Sequence, residues 1–126
     1  MDVVSPTHIG QIAIPVKDRA RAVAFYRDAL GLRFLFQAPP GLAFFECGGV
    51  RLMLANAESP EFDHPSSVLY FSVPDIQAAF VSFQGRGVTF KDQPHVITRT
   101  GGVTLWMTFF LDGEGNTLAL MSEVKE

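Results

Sequence analysis

The sequence predicts an α+β domain built from two consecutive βαβββ modules. Three observations carry the prediction: short runs with apolar alternation, two Asp-led helical segments each stopped by glycine, and a return of the whole order in the second half. The chain has 126 residues, 48% of them hydrophobic and 18% charged. That is one domain's length with material for its own core, and too apolar for a disordered segment.

Ile12, Ile14 and Val16 alternate with Gln11, Ala13 and Pro15, the pattern of a strand with two unlike faces. Asp18 then stands as an N-cap before Ala22, Val23, Tyr26, Ala29 and Leu30 at helical spacing, and Gly31 supplies the stop. Strand-like runs follow at Leu32 to Phe36, Leu42 to Glu46 and Val50 to Ala55, separated by Pro39-Pro40-Gly41 and Gly48-Gly49. Residues 56–66 are polar and proline-punctuated and read as a linker. Val68 to Val73 is the next strand, and Asp75 caps a helix through Phe83 with Ile76, Ala79, Phe80 and Phe83 as its apolar stripe. Gly85-Arg86-Gly87 ends it; strands follow at Val88 to Lys91, Leu105 to Leu111 and Thr117 to Met121. Residues 92–103 read as a long flexible connection, and Asp112 to Gly115 as the last turn.

The halves superpose in sequence. Val16-Lys17-Asp18 falls on Val73-Pro74-Asp75 at an offset of 57, and Gly31-Leu32-Arg33-Phe34 on Gly87-Val88-Thr89-Phe90 at 56. Gly49, Leu52 and Leu54 fall on Gly115, Leu118 and Leu120 at 66, the jump absorbed by the long connection. Residues 1–126 are thus one domain, with a first module at about 7–55, a linker at 56–66 and a second module at about 67–122. Each half has a sheet face that only the other half, or another chain, can cover.

Composition narrows the partners. Net charge is −3, with ten Lys and Arg scattered singly, so no basic stripe tracks a phosphate backbone and nucleic acid is not expected. Cys47 is the single cysteine; it cannot form an internal disulfide, and no base stands near it to activate a thiolate. The start, Met1 to Pro6, lacks the basic and apolar regions of a signal peptide, and no apolar run approaches the ~20 residues of a membrane span. The expected setting is the cytoplasm, with no membrane partner.

The run Val16-Lys17-Asp18 … Phe25-Tyr26-Arg27-Asp28-Ala29-Leu30-Gly31-Leu32, opening a repeated βαβββ module, resembles the vicinal oxygen chelate superfamily of glyoxalases, extradiol dioxygenases and bleomycin-resistance proteins. The closing Asp112-Gly113-Glu114-Gly115-Asn116 is similar to that superfamily's Asp-Pro-Asp-Gly-Asn turn. The resemblance implies curved mixed sheets around a cup, with metal ligands of the catalytic members on the first and last strand of each module. Those positions here are Gln11, Met53, Val68 and Ala119, where the enzymes carry Glu at the second, His at the third and Glu at the fourth. A thioether is a soft ligand, and Val and Ala offer no donor, so no metal and no other cofactor is expected. His8, His64, His95 and Glu46 lie at strand ends, in loops or on a strand that supplies no ligand, and do not restore the set.

Without metal, parity assigns to the cup Gln11, Ala13, Met53, Ala55, Val68, Tyr70, Ser72, Thr108, Phe110, Ala119 and Met121, with Trp106 at its approach. The expected ligand contacts are Gln11, Met53, Val68, Tyr70, Trp106, Phe110 and Ala119, a lining suited to a small, flat, partly apolar or aromatic molecule. No catalytic residue is assigned. The resemblance adds a homodimer, as in drug-binding members whose crevice forms across two chains, and one alternative: a metal-dependent lyase, isomerase or dioxygenase with an atypical site.

Overall fold

The structure, a computed structural model, describes residues 4–57 and 59–126; the first three residues of the predicted leaderless start lie outside the described residues. Strand β1 (Gln11–Pro15) leads into helix α1 (Arg19–Ala24), followed by β2 (Arg33–Ala38), β3 (Leu42–Cys47) and β4 (Val50–Ala55). After the linker come β5 (Leu69–Ser72), α2 (Ile76–Gly85), β6 (Thr89–Phe90), β7 (His95–Thr100), β8 (Val103–Leu111) and β9 (Thr117–Lys125). The first sheet has the order β1-β4-β3-β2; the second runs β5-β9-β8-β6, with β7 also on β8. In each, the opening strand lies parallel to the closing strand and the other pairs are antiparallel. These are the two predicted modules.

Both helices start as their sequences dictate. Asp18 Oδ1 accepts from the Arg21 N–H at 3.1 Å, and Asp75 Oδ1 from the Ala78 N–H at 3.1 Å. The first helix widens over Phe25–Ala29, where the Leu30 N–H reaches back five residues to Phe25 O at 3.0 Å. Gly31, at φ +75°, then turns the chain out of the helix. The stripe Ala22, Val23, Tyr26 and Ala29 is buried as its spacing demands.

The second module departs from expectation at residues 92–103. His95–Thr100 is not a flexible connection but a strand, antiparallel to an extended β8, with Thr100 opposite Val103 across a Gly101-Gly102 turn. Strands β6 and β7 occupy together the place that β2 holds in the first module. Asp92 interrupts them: its Oδ1 accepts from the Phe109 N–H at 2.9 Å and the Thr108 hydroxyl at 2.8 Å, replacing ladder bonds at the break. β9 likewise continues past Met121 to Lys125.

One core serves both modules. Ile14, Phe45 and Leu54 of the first sheet and Phe110, Leu118 and Leu120 of the second, on the helix-facing sides, join Tyr26 and Ile76 of the helices. The Asp112–Asn116 turn locks the halves together. Asp112 Oδ1 accepts from the N–H groups of Glu114 and Asn116 at 2.7 and 3.1 Å, while Oδ2 accepts from the buried Tyr26 hydroxyl at 2.6 Å and from Asn116 Nδ2 at 2.8 Å. Asn116 Nδ2 also donates to Pro15 O at 3.0 Å, tying the turn to β1. Burial, the nearby Asp112 charge and the hydrogen bond to it push the Tyr26 hydroxyl far above its ordinary pKa, so it is a permanent donor. Next to it, the Glu114 side chain is 1% exposed and receives the Arg21 guanidinium and the N–H groups of Lys17 and Asp18.

Burial alone would raise the Glu114 pKa; the Arg21 hydrogen bonds and the two backbone donors overcome it and hold the carboxyl below its ordinary 4.5. A depressed carboxyl stabilises the fold above its unfolded-state value and loses that contribution as pH falls through the folded one. Glu114→Gln is therefore expected to lower unfolding free energy by about 2 kcal/mol at neutral pH. In urea titrations across pH, the gap from the parent protein should close below the ordinary carboxylate range.

Candidate functional site

Register assigns every strand residue to a face. On the first sheet the helix-facing set contains Ile12, Ile14, Leu52, Leu54 and Phe45, and the opposite set contains Gln11, Ala13, Met53, Ala55, Phe44 and Leu42. On the second, Leu118 and Leu120 face the helix, while Tyr70, Ala119, Phe109, Met107 and Met121 share the other side. Because the core lies between the helix-facing sides, these second faces look outward. Phe36 and Tyr70 are each 46% exposed there.

Of the seven expected contact residues, Gln11, Met53, Tyr70 and Ala119 stand on the outward faces, and Val68 lies exposed just ahead of β5. Trp106 and Phe110 do not, which corrects the parity reading. Phe110 is opposite Leu118 and fully buried, with its ring 6.2 Å from Phe83 and 5.4 Å from Phe90. Trp106 shares that side and packs against the core, as does Thr108, opposite Leu120. The true outward residues of β8 are Leu105, Met107, Phe109 and Leu111, one position off the assigned set. The cause is a strand, Val103–Leu111, whose buried side carries Thr104 and Thr108 while its outward side is wholly apolar, so alternation pointed the wrong way.

A connected cluster occupies the outward face of the first sheet. Gln11 is the register partner of Arg51, whose Nε donates to Gln11 Oε1 at 2.8 Å. Gln11 Nε2 makes a weak 3.6 Å contact to Met53 Sδ. The Arg51 guanidinium carbon lies 5.1 Å from the centre of the Phe44 ring, and Phe36 packs on Phe44 with ring centres 4.7 Å apart. Beyond Met53 opens a largely apolar cavity of about 350 Å³ whose floor includes Ala13, Leu42, Met53 and Ala55. Its rim comes from the linker, through Asn56, Phe62 and His64; the short 3-10 turn Pro60–Phe62 brings Phe62 to it. A second, more polar cavity of about 380 Å³ adjoins it across His64, lined by Lys17, Asp63, Glu114 and Asn116.

Arg51, Phe44, Phe62 and His64 were absent from the residues expected at the site. Arg51 was legible, two residues before Met53 and so on the same face. Nothing in the polar linker signalled that it folds back over the sheet. On the second sheet, Ala119 is fully buried between its register neighbours Tyr70 and Phe109, whose rings meet edge to face at 5.9 Å. Cys47, half-buried, has its thiol pKa raised by burial and by Glu46, opposite to what a reactive thiolate needs.

Two βαβββ modules locked by an Asp-to-Asn turn define a class of paired-module domains. The family model of the Glyoxalase/Bleomycin resistance protein/Dioxygenase superfamily matches residues 8–120, and the chain belongs to that superfamily. No curated protein matches it. Among solved structures, it is similar to a superfamily member from Sphaerobacter thermophilus, with a TM-score of 0.79 at 21% identity over 93% of this chain and 98% of that one. TnmS3, an antibiotic-binding protein from a Streptomyces species, gives a TM-score of 0.77 at 24% identity over 97% and 100% of the two chains. Lactoylglutathione lyase from Agrobacterium tumefaciens gives 0.71 at 21%, over 94% and 95%. These likenesses establish the fold.

The superfamily's metal does not fit the groups at its four positions. Met53 offers a thioether, Val68 and Ala119 offer no donor, and Ala119 lies beneath two aromatic rings. Gln11 directs its amide oxygen to a guanidinium, a cation that would repel a divalent ion beside it. Among the described residues, no group of three or more His, Cys, Asp and Glu side chains is placed to hold a metal.

The two faces predict different mutational costs. Phe110→Ala is expected to destabilise the protein by about 3–5 kcal/mol in urea titrations. Phe36→Ala and Tyr70→Ala, on outward faces, should stay within about 1 kcal/mol of the parent at protein concentrations low enough to leave single chains.

Proposed function

We propose that this protein binds a small, partly apolar or aromatic molecule on the outward face of its sheets, without the superfamily's metal and without catalysing a reaction. The observation that carries this reading is the pairing of an open apolar cavity beside Met53 with four ligand positions of which three, Met53, Val68 and Ala119, offer no hard donor and the fourth, Gln11, turns its amide oxygen to Arg51. Ala13, Leu42 and Met53 form the floor of the cavity and Phe62 its rim; Gln11 adjoins Met53 on the same face, and the second sheet offers Tyr70, packed over Ala119, with Val68 at its margin. The antibiotic-binding neighbour supports the reading, since it puts a binding function on the same fold.

The protein acts as a homodimer. Support comes from the direction of the faces: Phe36 on the first sheet and Tyr70 and Leu111 on the second are exposed large apolar side chains that their own chain leaves open. Setting the first-sheet face of one copy against the second-sheet face of its partner covers both and deepens an open cavity into a cup. The aromatic wall of Tyr70 and Phe109 then lies across from Met53. The setting is the cytoplasm; among the described residues, no helix is long and apolar enough to cross a membrane.

A neutral fluorescent aromatic, N-phenyl-1-naphthylamine, tests the reading. The parent protein should bind it saturably and sediment as a dimer. Ala13→Trp, which fills the cavity from an exposed strand position, should abolish binding while leaving the urea midpoint in place. Binding that survives Ala13→Trp unchanged would overturn the placement of the site.

A further inference from the structure

Arg51 stands on the outward face of the first sheet, at the end away from the apolar cavity, and its neighbours explain its direction. Its cross-strand partner on β3, Glu46, does not pair with it; Glu46 Oε1 accepts instead from the Gly49 N–H at 2.9 Å. The ion pairs formed among the described residues, Arg21–Glu114, Arg27–Asp28 and Arg99–Glu126, do not include Arg51. Its side chain leans from its own register position over Phe44, which stands opposite Met53, a wall residue of the apolar cavity. The guanidinium thus leans along the sheet toward the cavity, as far as the neighbour of Met53, and the Phe44 ring and Gln11 amide hold it there.

A guanidinium offers two edges for bidentate bonding. Gln11 Oε1 occupies the Nε side at 2.8 Å, which leaves the Nη1–Nη2 edge to an oxyanion. Gln11 Nε2, engaged only with a thioether at 3.6 Å, is a second donor that an oxygen acceptor would win easily. Arg33 lies opposite Glu46 on the same face, so two cations stand against one carboxylate there although the whole chain carries −3. Covering such a cation without a counter-charge is unfavourable.

We propose that the ligand carries a single oxyanion, a carboxylate or sulfonate, on its apolar body, and that Arg51, set by Gln11 and Phe44, holds it at the mouth of the cavity. This rests on the reading that the face binds an apolar molecule. The charged group then takes the place in recognition that a metal holds in the catalytic relatives.

Two probes with the same aromatic body separate the two claims: 8-anilinonaphthalene-1-sulfonate, which is anionic, and N-phenyl-1-naphthylamine, which lacks the sulfonate. Both are titrated by fluorescence against the parent protein, Arg51→Met and Arg51→Lys. Arg51→Met should weaken the sulfonate about tenfold, the loss expected for a charge-assisted hydrogen bond, with the neutral probe unchanged. Arg51→Lys, which keeps the charge and loses the fork, should fall between. Equal weakening of both probes, or a sulfonate affinity indifferent to Arg51→Met, overturns the oxyanion assignment and leaves the apolar site standing. A dimer loosened by Arg51→Met at unchanged sulfonate affinity also overturns it, by showing that a carboxylate of the second copy neutralises Arg51. Failure of the parent to bind either probe overturns both claims.

Discussion

The buried hydrogen bond between Tyr26 and Asp112 determines more of this molecule than any other contact. Asp112 uses one oxygen to shape its own turn and the other to receive the hydroxyl from the first module's helix. The turn so formed sets Leu111 opposite Thr117, and hence the register of β8 on β9 for its whole length. A shift by one residue would exchange the faces of Phe110 and Phe109. The same turn carries Glu114 into the donors of Lys17, Asp18 and Arg21, and Asn116 onto Pro15. Strand register, module docking and face assignment are therefore consequences of one five-residue turn.

From that docking follows the location of the site. Both sheets spend their helix-facing sides on the shared core, so whatever chemistry the protein has lies on the outward faces. There the first sheet presents Gln11 and Arg51 beside Met53, which borders an apolar cavity, and the second presents Tyr70 and Phe109 over a buried Ala119. Four positions that hold a metal in catalytic relatives carry an amide, a thioether and two hydrocarbons. On the proposed reading, the fold keeps its binding surface and recognises its ligand through apolar contact and a guanidinium rather than through a Lewis acid.

Most of the fold was legible in the residues. Asp18 and Asp75 announce their helices, Gly31 and the Gly85-Arg86-Gly87 run announce where they end, and the offsets between halves reveal the repeat. The first sheet's faces were readable because Ile12, Ile14, Leu52 and Leu54 are apolar where their alternates are polar or small. β8 was not, since its outward positions Leu105, Met107, Phe109 and Leu111 are all apolar while its buried side carries Thr104 and Thr108 beside Trp106 and Phe110. The information that resolves it lay in the turn: with Leu118 and Leu120 inward, a connection of Asp112 to Asn116 brings Phe110 opposite Leu118. β7 was hidden differently, because Asp92 and Pro94 interrupt the strand that β2 forms without a break. The linker's role at the cavity rests on a chain path that local propensity does not encode.

The central claim, that the superfamily's metal has no place here, is most directly tested by the metal content of the untagged protein. Elemental mass spectrometry after incubation with Zn, Ni, Mn or Fe and removal of excess ion reads it against protein concentration. The account predicts content well below stoichiometric for every ion. One equivalent of any of them retained, and lost in a Gln11→Ala variant, would contradict it and return the protein to the metal-dependent lyases and dioxygenases of its superfamily.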